Sequence, residues 1–112
     1  MQKLPTRLEQ LLGYLEETPN DPFILYALAK EYEIQGDLEK ALKQFNYLLE
    51  VNPKYVGAYY HLGKLYEKLE QPTKAFFTYK KGMEVAKEKG DQHALSELVG
   101  AKLNLGDDDD FE

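Results

Sequence analysis

The chain has 112 residues, with 14 Lys and Arg against 20 Asp and Glu, a formal net charge of −6, and no cysteine. This length predicts one domain that buries about two-thirds of its unfolded surface, and the missing thiols exclude disulfides, thiolate metal sites and a cysteine nucleophile. The acidic balance argues against a nucleic-acid partner, which a basic patch would meet; no run of about 18 apolar residues predicts a membrane span, and Met1-Gln2-Lys3-Leu4-Pro5 leads into no apolar secretory core, so the expectation is a cytoplasmic protein with neither a nucleic-acid nor a membrane partner.

The first helix is expected over residues 5–18. Pro5 suits a first turn, Thr6 and Glu9 have capping-box spacing, and Leu8, Leu11, Leu12 and Leu15 form one apolar face. Thr18-Pro19-Asn20-Asp21-Pro22 is turn chemistry, and Asp21 followed by Pro22 caps and opens a second helix. Leu25, Leu28, Ala29 and Tyr32 carry its stripe. Gly36 closes it, Asp37 caps the next, and a connection this short predicts antiparallel neighbours. The third helix, about Leu38 to Val51, presents Ala41, Leu42, Phe45, Leu48 and Leu49, and Asn52-Pro53 ends it.

A fourth helix is expected from Lys54 or Tyr55, with Tyr59, Leu62, Gly63, Leu65, Tyr66 and Leu69 on its stripe. Gln71-Pro72 turns the chain into a fifth, which carries Ala75, Phe76, Tyr79, Met83 and Val85-Ala86. Lys87, Lys89 and Gly90 have the character of a helix C-terminus. Asp91 caps a sixth helix to about Leu105, and Gly106 closes it. Asp107 to Asp110 with Phe111-Glu112 is expected to be a disordered acidic tail, because like charges repel and bury little. No segment alternates with a period of two, so the expected class is all-α.

Shifting the chain by 34 residues superposes Tyr26 on Tyr60, Leu28 on Leu62, Lys30 on Lys64, Tyr32 on Tyr66, Glu33 on Glu67, Ala41 on Ala75 and Phe45 on Tyr79. Small residues at Ala29/Gly63 and Ala41/Ala75 let paired helices approach, and the aromatics fill the space beside them. On these residues the chain resembles the tetratricopeptide repeat (TPR) family. Its pattern falls on Leu25, Leu28-Ala29, Tyr32, Gly36, Ala41, Phe45, Leu48 and Pro53, and again on Tyr59, Leu62-Gly63, Tyr66, Glu70, Ala75, Tyr79, Gly82 and Lys87. The departures are Leu48, where a smaller residue is usual, Glu70 at the turn, and Lys87 in place of a closing Pro.

The resemblance implies helix-turn-helix repeats in a short right-handed superhelix with a C-terminal capping helix. In that reading residues 1–106 form a single domain, made of a first helix (5–18), two repeats (22–53 and 55–89) and a cap (91–105). It also implies a concave groove lined by the first helix of each pair, which carries Phe23, Tyr26, Lys30 and Glu33 over to the first repeat, and Gly57, Tyr60, Lys64 and Glu67 to the second. The family's clamp for a partner's C-terminal carboxylate maps onto Tyr26, Lys30, His61, Asp91 and Leu95, which lack its Lys and Asn pattern, so that mode of binding is not expected.

Catalytic signals are poor. The segment from Gly57 to Lys64 has the wrong spacing for a phosphate loop and falls on a helix. His61 and His93 stand apart from other ligand types, so no metal or cofactor is expected, and Asp107 to Asp110 lacks the spaced ligands of a calcium loop. The expected function is a non-enzymatic adaptor or scaffold that binds a protein or peptide partner. The alternative is a structural repeat protein that self-associates as a weak homo-oligomer.

Overall fold

The computed structural model describes residues 5–112, so the domain start expected at Met1 lies outside the described residues. Among the described residues the chain forms seven helices and no strand: α1 Arg7–Glu17, α2 Pro22–Ile34, α3 Leu38–Val51, α4 Gly57–Lys68, α5 Pro72–Lys89, α6 Gln92–Leu105 and α7 Asp108–Phe111. Contacts divide them into two compact units that meet in sequence at Pro53 and Lys54, where a single domain to residue 106 was expected.

In the first unit, Thr6 caps α1: its hydroxyl accepts from the Glu9 N–H at 3.1 Å, and its own N–H donates to Glu9 Oε1 at 3.3 Å. The helix therefore starts at Arg7, and Pro5 stands before the cap rather than in the first turn. Leu11 is the fully buried residue of α1, while Leu12 is 40% exposed. Asp21 caps α2 by accepting from Phe23 N–H at 2.9 Å. Leu25, Leu28 and Ala29 of α2 are buried, as are Ala41, Phe45 and Leu48 of α3.

The second unit holds α4 to α7. Its fourth helix begins at Gly57 rather than Lys54 or Tyr55, because turn bonds come first: Ala58 N–H to Tyr55 O and Tyr59 N–H to Val56 O, both 3.2 Å. Tyr59, Leu62 and Leu65 of α4, Phe76, Tyr79 and Val85 of α5, and Leu98 of α6 build its core. The 18-residue α5 outlasts the 14-residue α3, in keeping with Lys87 where a Pro would stop the chain.

Three helix ends close in one way. Asp37 N–H bonds to Tyr32 O, Gln71 N–H to Tyr66 O and Asp91 N–H to Ala86 O, each at 2.9 Å, while the preceding residue bonds three back. This double closure needs a left-handed residue, supplied by Gly36 (φ 80°), Glu70 (φ 58°) and Gly90 (φ 68°). Glu70 keeps the shape of the turn although it lacks the freedom of glycine.

The acidic segment 107–112 differs from expectation. It forms α7, capped by Asp107 and Asp110, and it lies against α5 and α6. Phe111 stacks on Phe76, Lys102 Nζ pairs with Asp108 at 2.8 Å, and Lys80 pairs with Glu112. The bond to Lys102 holds the Asp108 carboxyl below its ordinary range, and the bond to Glu112 raises the Lys80 ammonium. Cations from elsewhere in the chain offset the repulsion that predicted disorder.

Candidate functional site

The residues proposed from sequence lie on α2 and on α4, one helix in each unit. On α2, Phe23 stands out at 65% exposure, next to the Asp21 cap that fixes the start of the helix. Tyr26, Lys30 and Glu33 are each half-buried. The Tyr26 ring meets the core ring of Phe45 edge-on, with centroids 6.3 Å apart. Tyr26 and Lys30 are four apart and share one face of the helix.

On α4 the geometry is tighter. Lys64 Nζ lies 5.5 Å from the centroid of the Tyr60 ring and 3.8 Å from Glu67 Oε2. Tyr60 in turn lies 6.4 Å from Tyr79, with the planes tilted by 43°. The Tyr79 hydroxyl donates to the same Glu67 oxygen. Burial, then the bond to Glu67 and its charge, push the Tyr79 phenol far above its ordinary range, so at neutral pH it stays a donor. Glu67 is therefore braced from the core by Tyr79 and faced from its own helix by Lys64.

Gly63 makes this brace possible. A Cβ at Gly63 would lie 2.1 Å from Tyr79 Cε1 and 2.6 Å from Cζ, so the ring crosses α4 where any side chain would stand. The first unit has Ala29 and Phe45 at the same two positions, both fully buried. The two substitutions go together: a hydroxyl that reaches over the helix requires the loss of a methyl beneath it. Its place on the apolar stripe gives Tyr79 a packing role only, and the paired change from Ala29/Phe45 to Gly63/Tyr79 is the sequence signal of its second role.

Neither tyrosine stands clear of the packing. Both Tyr26 and Tyr60 are half-buried against core aromatics. Held this way, each ring has little rotamer freedom left to lose on binding. A second repeated feature lies behind them: Lys40 Nζ is 5.7 Å from the Tyr32 ring and Lys74 Nζ 5.9 Å from the Tyr66 ring. Those contacts join the two helices of each pair and are structural.

Chemically the surfaces offer phenols, ammonium groups and carboxylates. Among the described residues no group of three His, Cys, Asp or Glu could hold a metal ion, and no helix is long and apolar enough to cross a membrane.

Residues 29–70 match a profile described as TPR repeat, and residues 56–89 one described as tetratricopeptide repeat. The solution structure of a tetratricopeptide repeat domain protein from Salinibacter ruber is 52% identical, with a TM-score of 0.74 over 78% of this chain and 88% of that one. A crystal structure of a tetratricopeptide repeat domain protein from the same organism is also 52% identical, with a TM-score of 0.73 over 76% and 94% of the two chains. A protein from Bordetella parapertussis shares the fold at 24% identity, with a TM-score of 0.79 over 91% and 89%. No curated protein matches the chain.

Proposed function

The chain belongs to the tetratricopeptide repeat family, whose repeats generally mediate protein–protein interaction, and from that premise we propose that it is a non-catalytic adaptor that holds a peptide or helix of a partner protein on α2 and α4. The observation that carries this reading is the repeated unit of a half-buried tyrosine backed by a core aromatic, with a lysine one turn on: Tyr26 on Phe45 with Lys30, and Tyr60 beside Tyr79 with Lys64. Amphipathic rings of low residual entropy make good interface anchors, and the lysines bring positive charge to an otherwise acidic protein. A ligand with apolar side chains and some negative charge fits this chemistry, with the rings supplying affinity and the lysines steering approach. Glu33 and Glu67 follow these lysines by three residues and add a carboxylate on each helix, and Phe23 extends the apolar surface of α2.

The test has two steps. The wild-type chain and a Tyr26→Ala/Tyr60→Ala variant are used in parallel to capture partners from the source cell, with Lys43→Ala on α3 as a control. A partner retained by wild type and control but lost by the variant is then titrated. Its affinity should fall by about 2 kcal/mol or more in total, while circular dichroism shows the helices intact. Equal affinity for a folded variant would place binding elsewhere.

A further inference from the structure

The second unit carries another surface, formed by α5 and α6 and remote from the α4 face in chemistry. It consists of the Phe76 ring, Lys80 and Lys102. Lys102 Nζ lies 4.8 Å from the centroid of Phe76, and its side chain is only 13% exposed. Segment 107–112 occupies this surface with three different contacts at three positions. Asp108 accepts from Lys102 at 2.8 Å. Phe111 stacks on Phe76 with centroids 4.4 Å apart and planes 17° from parallel. Glu112 pairs with Lys80. A carboxylate, an aromatic ring three residues later and a second carboxylate next to it are thus each met by a complementary group.

We propose that this face of α5 and α6 is a binding site for an acidic–aromatic segment of a partner protein, and that the chain's own residues 107–112 are the internal competitor that covers it when the partner is absent. The occupant is held weakly. A four-residue helix has no stability of its own, Asp107 to Asp110 remain exposed, and the segment joins α6 through Gly106. At φ 147°, ψ −171° that residue sits in a backbone region open essentially to glycine alone. Opening there breaks one stacked ring and two ion pairs and leaves the rest of the core in place, the kind of local unit that detaches first. Tethering through a short linker gives the segment an effective concentration on the order of millimolar. A weak contact is then closed by default, and a partner with the same pattern plus additional contacts displaces it. The charges match: the face presents two ammonium groups around an aromatic ring in a chain of net charge −6, so an acidic peptide is drawn to this local patch.

The experiment uses the full chain and a fluorescein-labelled synthetic peptide with the sequence of residues 106–112. A released variant, Asp108→Asn/Phe111→Ala/Glu112→Gln, removes the internal competitor while leaving Phe76, Lys80 and Lys102 untouched. By fluorescence anisotropy the peptide should bind the released variant about 10-fold or more tighter than wild type, as expected when a tethered competitor is removed. Adding Lys80→Ala and Lys102→Ala to the released variant should abolish binding, as should Phe→Ala in the peptide, and raised salt should weaken it. Equal affinity for wild type and released variant, no binding to either, or binding that survives loss of both lysines would overturn the proposal. A wild-type chain that dimerises with concentration while the released variant stays monomeric would also overturn it, because the segment would then be exchanged between copies. Should the released variant fail to fold, NMR on the unmodified chain decides. Excess unlabelled peptide must move the Phe111 signals toward those of an undocked segment, and Phe111 signals unchanged at saturation would refute displacement.

Discussion

Replacing Gly63 with alanine should destabilise the second unit even though alanine is the better helix former. The new Cβ would stand 2.1 Å from Tyr79 Cε1, roughly 1.4 Å short of the about 3.5 Å at which carbon pairs sit comfortably. Tyr79 is completely buried, and its hydroxyl is tied to Glu67, so the ring has no open space to retreat into. Overpacking of this kind costs about 1–3 kcal/mol, and displacing the hydroxyl from Glu67 adds about 1 kcal/mol. The helix-propensity gain of about 1 kcal/mol works the other way. The expected net loss is about 2 kcal/mol, a fall in melting temperature on the order of 10 °C for a domain of this size. Thermal and urea denaturation followed by far-ultraviolet circular dichroism would measure it. The sharper test is the double variant Gly63→Ala/Tyr79→Phe, which restores the Ala29/Phe45 pairing of the first unit. Tyr79→Phe alone should cost about 1 kcal/mol by removing the bond to Glu67. Without that tether the ring can settle beside the new methyl, so the double variant should be more stable than the sum of the single losses by about 1 kcal/mol or more. A Gly63→Ala chain that melts at or above wild type, or strictly additive losses, would refute the reasoning.

Alkaline pH should weaken the fold in a way that depends on Tyr79. Burial, with the bond to Glu67, raises its phenol above the ordinary value, so the stability is fully present below about pH 10, where the unfolded phenol titrates. Above that pH the unfolded chain loses a proton that the folded chain keeps, and stability falls by up to about 1.4 kcal/mol per pH unit for this one group. Urea midpoints at pH 9 and 11 should converge more closely in Tyr79→Phe than in wild type, and an identical pH dependence would count against the assignment. Gln71→Asp should stabilise α5. Asp37, the equivalent residue 34 positions earlier, caps α3 by accepting from Lys40 N–H, whereas Gln71 makes no such bond and its Oε1 is buried without a hydrogen-bond partner. A gain of about 1 kcal/mol is expected, and an unchanged or lower melting temperature would mean that the aspartate fails to reach the helix end. Glu70→Gly should also stabilise, by up to about 1 kcal/mol, because φ 58° is strained for a residue with a Cβ; a loss on thermal melting would show that the glutamate side chain contributes more than its backbone costs.

Helix ends and pairings were legible because their causes are local. Thr6, Asp21, Asp37 and Asp91 cap the helices they precede in sequence, and Gly36 and Gly90 sit at left-handed closures. The 34-residue repeat was legible for the same reason: each unit repeats one local solution to burying an apolar stripe, so Ala41 and Ala75, or Phe45 and Tyr79, are all buried. The start of α1 was misplaced because Pro5 and the Thr6–Glu9 box both mark helix beginnings, and only the backbone bonds decide between them.

What tertiary structure alone decided are the contacts between groups distant in sequence. Tyr79 and Glu67 lie on different helices, and the reach of a phenol over a glycine depends on how closely α4 and α5 approach. That makes Glu67 a braced acid. The acidic segment shows the same limit more plainly. Within 107–112 the charges are all negative and predict repulsion, but Lys80, Lys102 and Phe76 come from helices that the chain folds back to meet. Charge pattern along a sequence counts neighbours in the chain, whereas electrostatics and stacking act between neighbours in space, and for this segment the two differ in sign.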